Sequence, residues 1–301
     1  TRDEYVLGTQ DASNDVNVQV YDGVADTWGD LTEVTTGVSD NTARGFDVAY
    51  ETTSGDAIVV YCDGDSDPSY RTWDGATWSI ASSITTSSAN NCEFVSLASD
   101  PTSDEMIVVI RDTGALYEAQ VWTGSAFGNP TTGGSMANTA NEGIGVQYEE
   151  SGNQGMVVVS NGGGNNFLWT AWNGTEWSTG VTQAIGDNFE WGVLKRDVGT
   201  DNMVLCYVDQ DEALGIIRWD GESWSTFQEF EPNGGAFTSA GRPVSCEYET
   251  TSGRDGYIIF PYSDTTNARV RHWDGSVISA ESNVSTITES WEIGTTRTGS
   301  G

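Results

Sequence analysis

The sequence predicts an all-β protein, a six-bladed β-propeller with four antiparallel strands per blade. Three observations carry that expectation: a tryptophan-rich hairpin that recurs six times, the even spacing of its copies, and the complementary character of the two chain ends. The hairpin is clearest as YRTWDGATWS, Tyr70 to Ser79, where an aromatic strand meets an Asp-Gly turn and a second strand opens on tryptophan. Variants read QVYDGVADTWG, AQVWTGSAFG, TAWNGTEWST, IRWDGESWST and VRHWDGSVIS. Asp-Gly and Asn-Gly suit the positive φ values of a type I′ turn. The tryptophan pairs are suited to filling the space between neighbouring blades.

The aromatics before the turns, Tyr21, Trp73, Trp122, Trp172, Trp219 and Trp273, are 52, 49, 50, 47 and 54 residues apart. Each interval holds four strand-like pieces and no helical period. From residue 46 they are FDVAYE, AIVVYCD, SYRTWDG and TWSIASS. The repeats fall at about 46–83, 94–130, 143–181, 189–228 and 243–280 within a single domain spanning 1–301. At the ends, EYVLGTQD and DVNVQVYDG match the second and third strands of a blade, and WEIGTTRTG matches a first strand without followers. A closing blade made of 3–31 plus 289–298 seals the ring and leaves no open edge.

Charge excludes several partners. The chain has 45 acidic residues against 12 basic ones, a net charge of −33, and Lys195 is its one lysine. Nucleic acid and anionic membranes attract clustered Lys and Arg, so neither is an expected partner. An acidic, solvated surface keeps a secreted or surface-displayed protein soluble. No stretch approaches the roughly 18 apolar residues of a membrane span, so direct membrane insertion of this chain is not expected.

Four cysteines align as two analogous pairs. Cys62 ends a second strand and Cys92 precedes the next first strand, and Cys206 with Cys246 repeats that relation. Disulfides Cys62–Cys92 and Cys206–Cys246 are expected, each stapling adjacent blades, and they point to an extracellular or cell-surface location. No CxxC or Cys/His cluster suggests zinc. Asn173 in NGT and Asn283 in NVS are glycosylation candidates.

Candidate ligand residues come from the entry to each first strand, where the aligned repeats carry Arg44, Glu93, Glu142, Glu190, Arg242 and Glu289. In a propeller these would ring the mouth of the central channel, either as a ligand site or as a salt-bridge collar that orients loops. Second strands end in Asp11, Asp63, Asp112, Asn161, Asp209 and Asp264, residues that cap their own turns. One loop, CDGDSDPS, sets Asp63, Asp65 and Asp67 at alternate positions, the opening spacing of a calcium loop without its closing Glu. Calcium is therefore the one cofactor in view.

His272 is the sole histidine and lies inside a strand, so no nucleophile triad assembles, and no phosphate loop or dinucleotide fingerprint occurs. Glycoside hydrolysis by Glu93, Glu142, Glu190 or Glu289 is the one credible chemistry. Most tryptophans fall at repeat positions. Trp169, Trp191 and Trp291 do not, and they are free for stacking on sugars.

The period is near that of kelch, but its paired glycines are missing, and Trp-Asp occurs here within hairpin turns rather than in the WD-repeat setting. In blade length and tryptophan-rich hairpins the chain resembles the six-bladed fucose-binding lectins of fungi and bacteria over its whole length. That resemblance implies sugar binding between blades through a repeated Arg, Glu and aromatic. Here the motif does not repeat, and only Arg111 with Glu118 comes near it. The expected function is a non-enzymatic extracellular interaction or adhesion module, possible as the head or subunit of a self-assembling structure, with a glycan or surface protein as partner. A carbohydrate-binding lectin is the alternative and a glycoside hydrolase the second.

Overall fold

A computed structural model describes residues 2–38, 43–137, 141–152, 154–231, 242–250, 252–254, 256–263 and 267–286, and every regular element among them is a β-strand. The strands form six antiparallel sheets in chain order. The first has three strands, Glu4–Gln10, Val16–Asp22 and Thr27–Thr35. The second runs Phe46–Tyr50, Ala57–Tyr61, Ser69–Trp73 and Ser82–Ser83, and the third Cys92–Ser99, Met106–Asp112, Tyr117–Trp122 and Phe127–Thr132. The fourth holds Ile144–Tyr148, Gly155–Ser160, Asn166–Trp172 and Val181–Ala184. The fifth holds Phe189–Arg196, Met203–Asp209, Leu214–Trp219 and Gln228–Glu231, and the sixth Glu247–Tyr248, Ile258–Ser263, Asn267–Trp273 and Ser282–Thr286. The expected closing strand at 289–298 lies outside the described residues.

First strands of successive sheets lie side by side from Glu4–Gln10 through to Glu247–Tyr248. Second strands such as Ala57–Tyr61, Met106–Asp112 and Met203–Asp209 are buried along their whole length. Their apolar runs follow from this placement, because each is covered on both faces by neighbouring sheets. The two expected disulfides are present. Cys62–Cys92 joins the second sheet to the third and Cys206–Cys246 the fifth to the sixth, with Cα atoms 5.3 and 6.3 Å apart.

The repeated hairpin differs in detail from the expected two-residue turn. Trp73 bridges Trp78 across a four-residue loop in which only Gly75 has positive φ, +89°. Asp74 instead turns its carboxylate inward and accepts the N–H groups of Ala76 and Thr77, and Asn173, Asp220 and Asp274 repeat the cap. Asp and Asn serve here through their side chains, not through left-handed backbone.

The tryptophans do pack between sheets, and they also carry a bond that sequence reading missed. Four of the repeat indoles donate their N–H to a glutamate of the preceding sheet, Glu4 opening its strand and the other three in the connection between first and second strands. Trp73 reaches Glu4 at 3.2 Å, Trp122 reaches Glu51 at 2.5 Å, and Trp172 and Trp219 reach Glu105 and Glu149 at 2.8 Å each. Burial pushes the Glu105 and Glu149 carboxyls above their usual range despite these bonds. Trp219→Phe leaves Glu149 without its donor and also removes part of a buried ring, so it should cost at least about 1.5–3 kcal/mol. Denaturant midpoints check this, and a Glu149→Gln partner should show less than additive loss.

Candidate functional site

Beside the entries to the first strands, three of the six charged positions meet. Arg242 Nη2 donates to both Glu142 oxygens at 2.6 and 2.7 Å, Arg44 Nη2 donates to Glu142 at 2.5 Å, and Arg44 Nη1 lies 3.1 Å from Asp47. These residues precede the first strands of the second, fourth and sixth sheets, so alternate sheets reach one point. Glu142 is 1 % exposed. Burial alone would raise its pKa, but Arg242 and Arg44 overcome that and hold it below the usual carboxylate range. A polar cavity of about 250 Å³ lies against this clasp, with Lys195 and Gln147 in its wall. Glu93 lies 3.9 Å from the fully buried Arg111, and the Glu190 carbonyl accepts the Gly143 N–H. Glu289 lies outside the described residues.

A second cleft, of about 160 Å³, opens between the second and third sheets. Thr86, Ser87 and Ser88, in the segment leaving the second sheet, form one wall. Ile110, Asp112, Leu116 and Glu118 of the third sheet form the other, with Thr132 and Gly133 at the outer rim. Glu118 accepts the Ser87 N–H and hydroxyl on one oxygen, at 2.8 and 2.7 Å, and Gln120 Nε2 on the other at 2.7 Å. Asp112 accepts the N–H groups of Gly114 and Leu116 on Oδ1, and Ser88 and Asn90 on Oδ2. The Tyr117 hydroxyl fills the place that a Cβ on residue 133 would take, which explains the glycine there.

No family model matches this sequence, and no curated protein matches it. Solved structures do. The BP39L lectin from Burkholderia pseudomallei superposes with a TM-score of 0.72 over 94% of this chain and 81% of its own, at 11% identity. The fucose-specific lectin from Aleuria aurantia gives 0.56 over 95% and 91% at 14% identity, and AofleA from Arthrobotrys oligospora 0.53 over 85% and 79% at 14%. The fold is that of the propeller lectins. The Aleuria aurantia lectin is itself a six-bladed β-propeller with its own mode of fucose recognition.

Within that fold, the one Arg–Glu pair that came near the lectin pattern is not a pair. Arg111 stands opposite Tyr117 and Ile110 opposite Glu118, so Arg111 and Glu118 project from opposite faces of the third sheet. Arg111 faces the Phe94 ring, 5.2 Å from its centre, while Glu118 faces the cleft. Strand register also shows why this cleft is particular to the third sheet. Four residues before each repeat aromatic, the facing pairs are Asn17 with Thr9, Ser69 with Tyr61, Glu118 with Ile110, Leu168 with Val159, Gly215 with Tyr207 and Arg269 with Tyr262. Tyrosine occupies the second-strand place in three sheets, and in the fifth its ring lies directly over Gly215. Only the third sheet combines a smaller aliphatic with a carboxylate.

Of the strand-ending Asx residues, Asp11, Asp112 and Asp209 cap their own turns, whereas Asn161 Nδ2 instead donates to Asn166 Oδ1 and Asp63 meets a serine hydroxyl. Asp11 accepts Ser13 and Asp15, and Asp209 accepts Asp211 and Ala213. Asp264 lies outside the described residues. In the calcium-like loop, Asp63 accepts the Ser69 hydroxyl, Asp67 accepts Thr86, and the Asp65 carbonyl accepts the Cys92 N–H. Among the described residues no group of three or more His, Cys, Asp or Glu is placed to hold a metal ion. Asn173 and Asn283 are exposed. Trp169 packs edge-on against Trp219 and Trp191 against Phe94, so both are interior contacts, and Trp291 lies outside the described residues.

Glu142→Ala would leave two guanidinium groups in a confined site without their shared carboxylate and should cost about 3–5 kcal/mol, read from denaturant midpoints. Asp209 gives a pH signature. Burial first, then Glu229 and Asp187, push its pKa up to about 6 from 3.8, against the Ala213 N–H. The folded chain keeps this proton where the unfolded chain has released it. Its stabilisation is full below about 3.8 and lost as pH rises through about 6. Denaturation series over that interval should show a decline that Asp209→Asn flattens.

Proposed function

We propose that this chain is an extracellular carbohydrate-binding lectin, a six-bladed propeller that holds its sugar in the cleft between the second and third sheets. The cleft carries the reading. It joins apolar wall residues, Ile110 and Leu116, to convergent polar groups, Asp112, Glu118 and Ser87, the mixture by which small-molecule sites fix orientation. The propeller lectins supply the precedent: Aleuria aurantia lectin binds fucosides. Two disulfides support a location outside the reducing cytosol. Ring closure by residues near 289–298 is supported by the first sheet, which has three strands where the others have four and leaves Glu4–Gln10 as its inner edge.

The cleft and the fold favour carbohydrate binding over the adhesion or assembly module expected first. Glycoside hydrolysis gains nothing from the geometry. An acid catalyst needs a raised pKa, whereas Glu142 is held ionised between two arginines.

Thr132 faces Glu118 from the exposed outermost strand, so Thr132→Trp should cap the cleft without disturbing the core. On a glycan array the native chain should be retained by a defined set of sugars, and Thr132→Trp should lose at least about tenfold in affinity at an unchanged melting temperature. Retention unaffected by that substitution would place any binding elsewhere.

A further inference from the structure

Building on the lectin reading above, we infer that the chain carries one sugar site instead of a repeated set, and that this site takes a neutral sugar and rejects an anionic one. The first half follows from register. In a sixfold repeat, every boundary between sheets starts with the same opportunity for a pocket, so the number of sites is set by what fills each one. Tyr61, Tyr207 and Tyr262 fill the second, fifth and sixth sheets at the position where the third has Ile110, and all three are 2 % exposed or less. In the sixth, Glu281 binds both the Tyr262 hydroxyl and Arg269, closing the place with an ion pair. The fourth carries Val159 and Leu168, which offer no polar group to orient a sugar. On the first sheet Thr9 and Asn17 hold the position, and Thr9 is exposed. Among the described residues, that leaves the cleft at Ile110 and Glu118 as the one boundary joining an open apolar wall to a carboxylate.

The second half follows from charge. The residues lining this cleft include two carboxylates, Asp112 and Glu118, and no Lys, Arg or His. Arg111, adjacent in sequence, faces away on the other side of the sheet toward Glu93. Asp112 accepts four donors from its own surroundings, which uses its lone pairs. Glu118 accepts three, and its Oε1, bonded only by Gln120, retains capacity for one more donor. A sugar hydroxyl supplies such a donor, and the ring's C–H face can lie on Ile110 and Leu116. A uronate or sialate would bring a third carboxylate into a walled cleft with no cation to meet it, in a chain of net charge −33. Like charges repel more strongly there than in water.

Isothermal titration of the full chain tests both halves. The probes are the methyl glycosides of fucose, galactose, glucose, mannose and N-acetylglucosamine, together with methyl galacturonoside, methyl glucuronoside and N-acetylneuraminic acid. The expected result is at least one neutral glycoside bound at one equivalent per chain, with every anionic probe at least about tenfold weaker. Two or more equivalents would overturn the single site. An anionic probe bound as tightly as the best neutral one would overturn the charge selection, yet leave the lectin reading intact. Binding of no sugar at all would overturn the lectin reading and this inference with it. Thr132→Lys, with folding confirmed by its melting curve, puts a cation on the exposed rim opposite Glu118. It should narrow the gap between galactoside and galacturonoside, and an unchanged gap would refute the electrostatic account.

Discussion

The structure depends on a bond between sheets: an indole N–H in one sheet donating to a carboxylate in the one before it. Two sheets packed face to face can slide, because dispersion is non-directional and tolerates many registers. A hydrogen bond does not tolerate them. Trp73, Trp122, Trp172 and Trp219 each fix the height and angle of their own sheet against the preceding one, reaching back 69, 71, 67 and 70 residues. That near-constant reach is the repeat length plus the distance from a strand connection to the hairpin. The aromatic spacing in the sequence is therefore the spacing of a mechanical joint. In the sixth sheet the joint changes character, and Trp273 lies under the Arg218 guanidinium at 3.8 Å, a cation–π contact with the fifth sheet.

At the opposite end of the inner strands, the Arg44–Glu142–Arg242 clasp ties alternate sheets where the tryptophan joints tie neighbours. The two devices constrain different motions. Joints between neighbours let small angular errors accumulate around the molecule, while a contact among the second, fourth and sixth sheets checks the sum. Buried charge is an expensive way to do this, since an apolar cluster of equal volume is often as stable. What a carboxylate shared by two guanidinium groups adds is geometric selectivity through directed N–H donors.

Much of this was legible in the sequence. Repeat length, strand order and both cysteine pairings follow from aligning the chain with itself, because they depend on spacing alone. Three things did not follow, each for a physical reason. Arg111 and Glu118 resemble a binding pair by type and proximity, but the turn after Asp112 sets Arg111 opposite Tyr117, and a one-residue offset in a strand reverses the face. Three of the glutamates of the tryptophan joints, Glu51, Glu105 and Glu149, sit in connections that look like ordinary turns and Glu4 opens a strand, so only their recurrence could have marked them. The six charged entry positions were visible as a set, yet which of them meet depends on how alternate sheets converge, a distance no repeat spacing encodes.

The same self-alignment separates the positions that every sheet shares from one that varies between sheets. Positions shared across sheets, the tryptophans and the capped Asp-Gly or Asn-Gly loops, answer to packing demands that every sheet faces. The position four residues before each repeat aromatic answers to none of them, and its occupants range from glycine to arginine. Where a tyrosine fills the space, a small residue such as Ser69 or Gly215 can stand opposite because the ring covers it. Where Ile110 leaves the space open, the facing side chain must tolerate both burial and solvent, and Glu118 does so by engaging Ser87 and Gln120. An unfilled boundary that keeps its carboxylate hydrogen-bonded loses packing but retains directional polarity, and that combination separates this cleft from a simple packing defect.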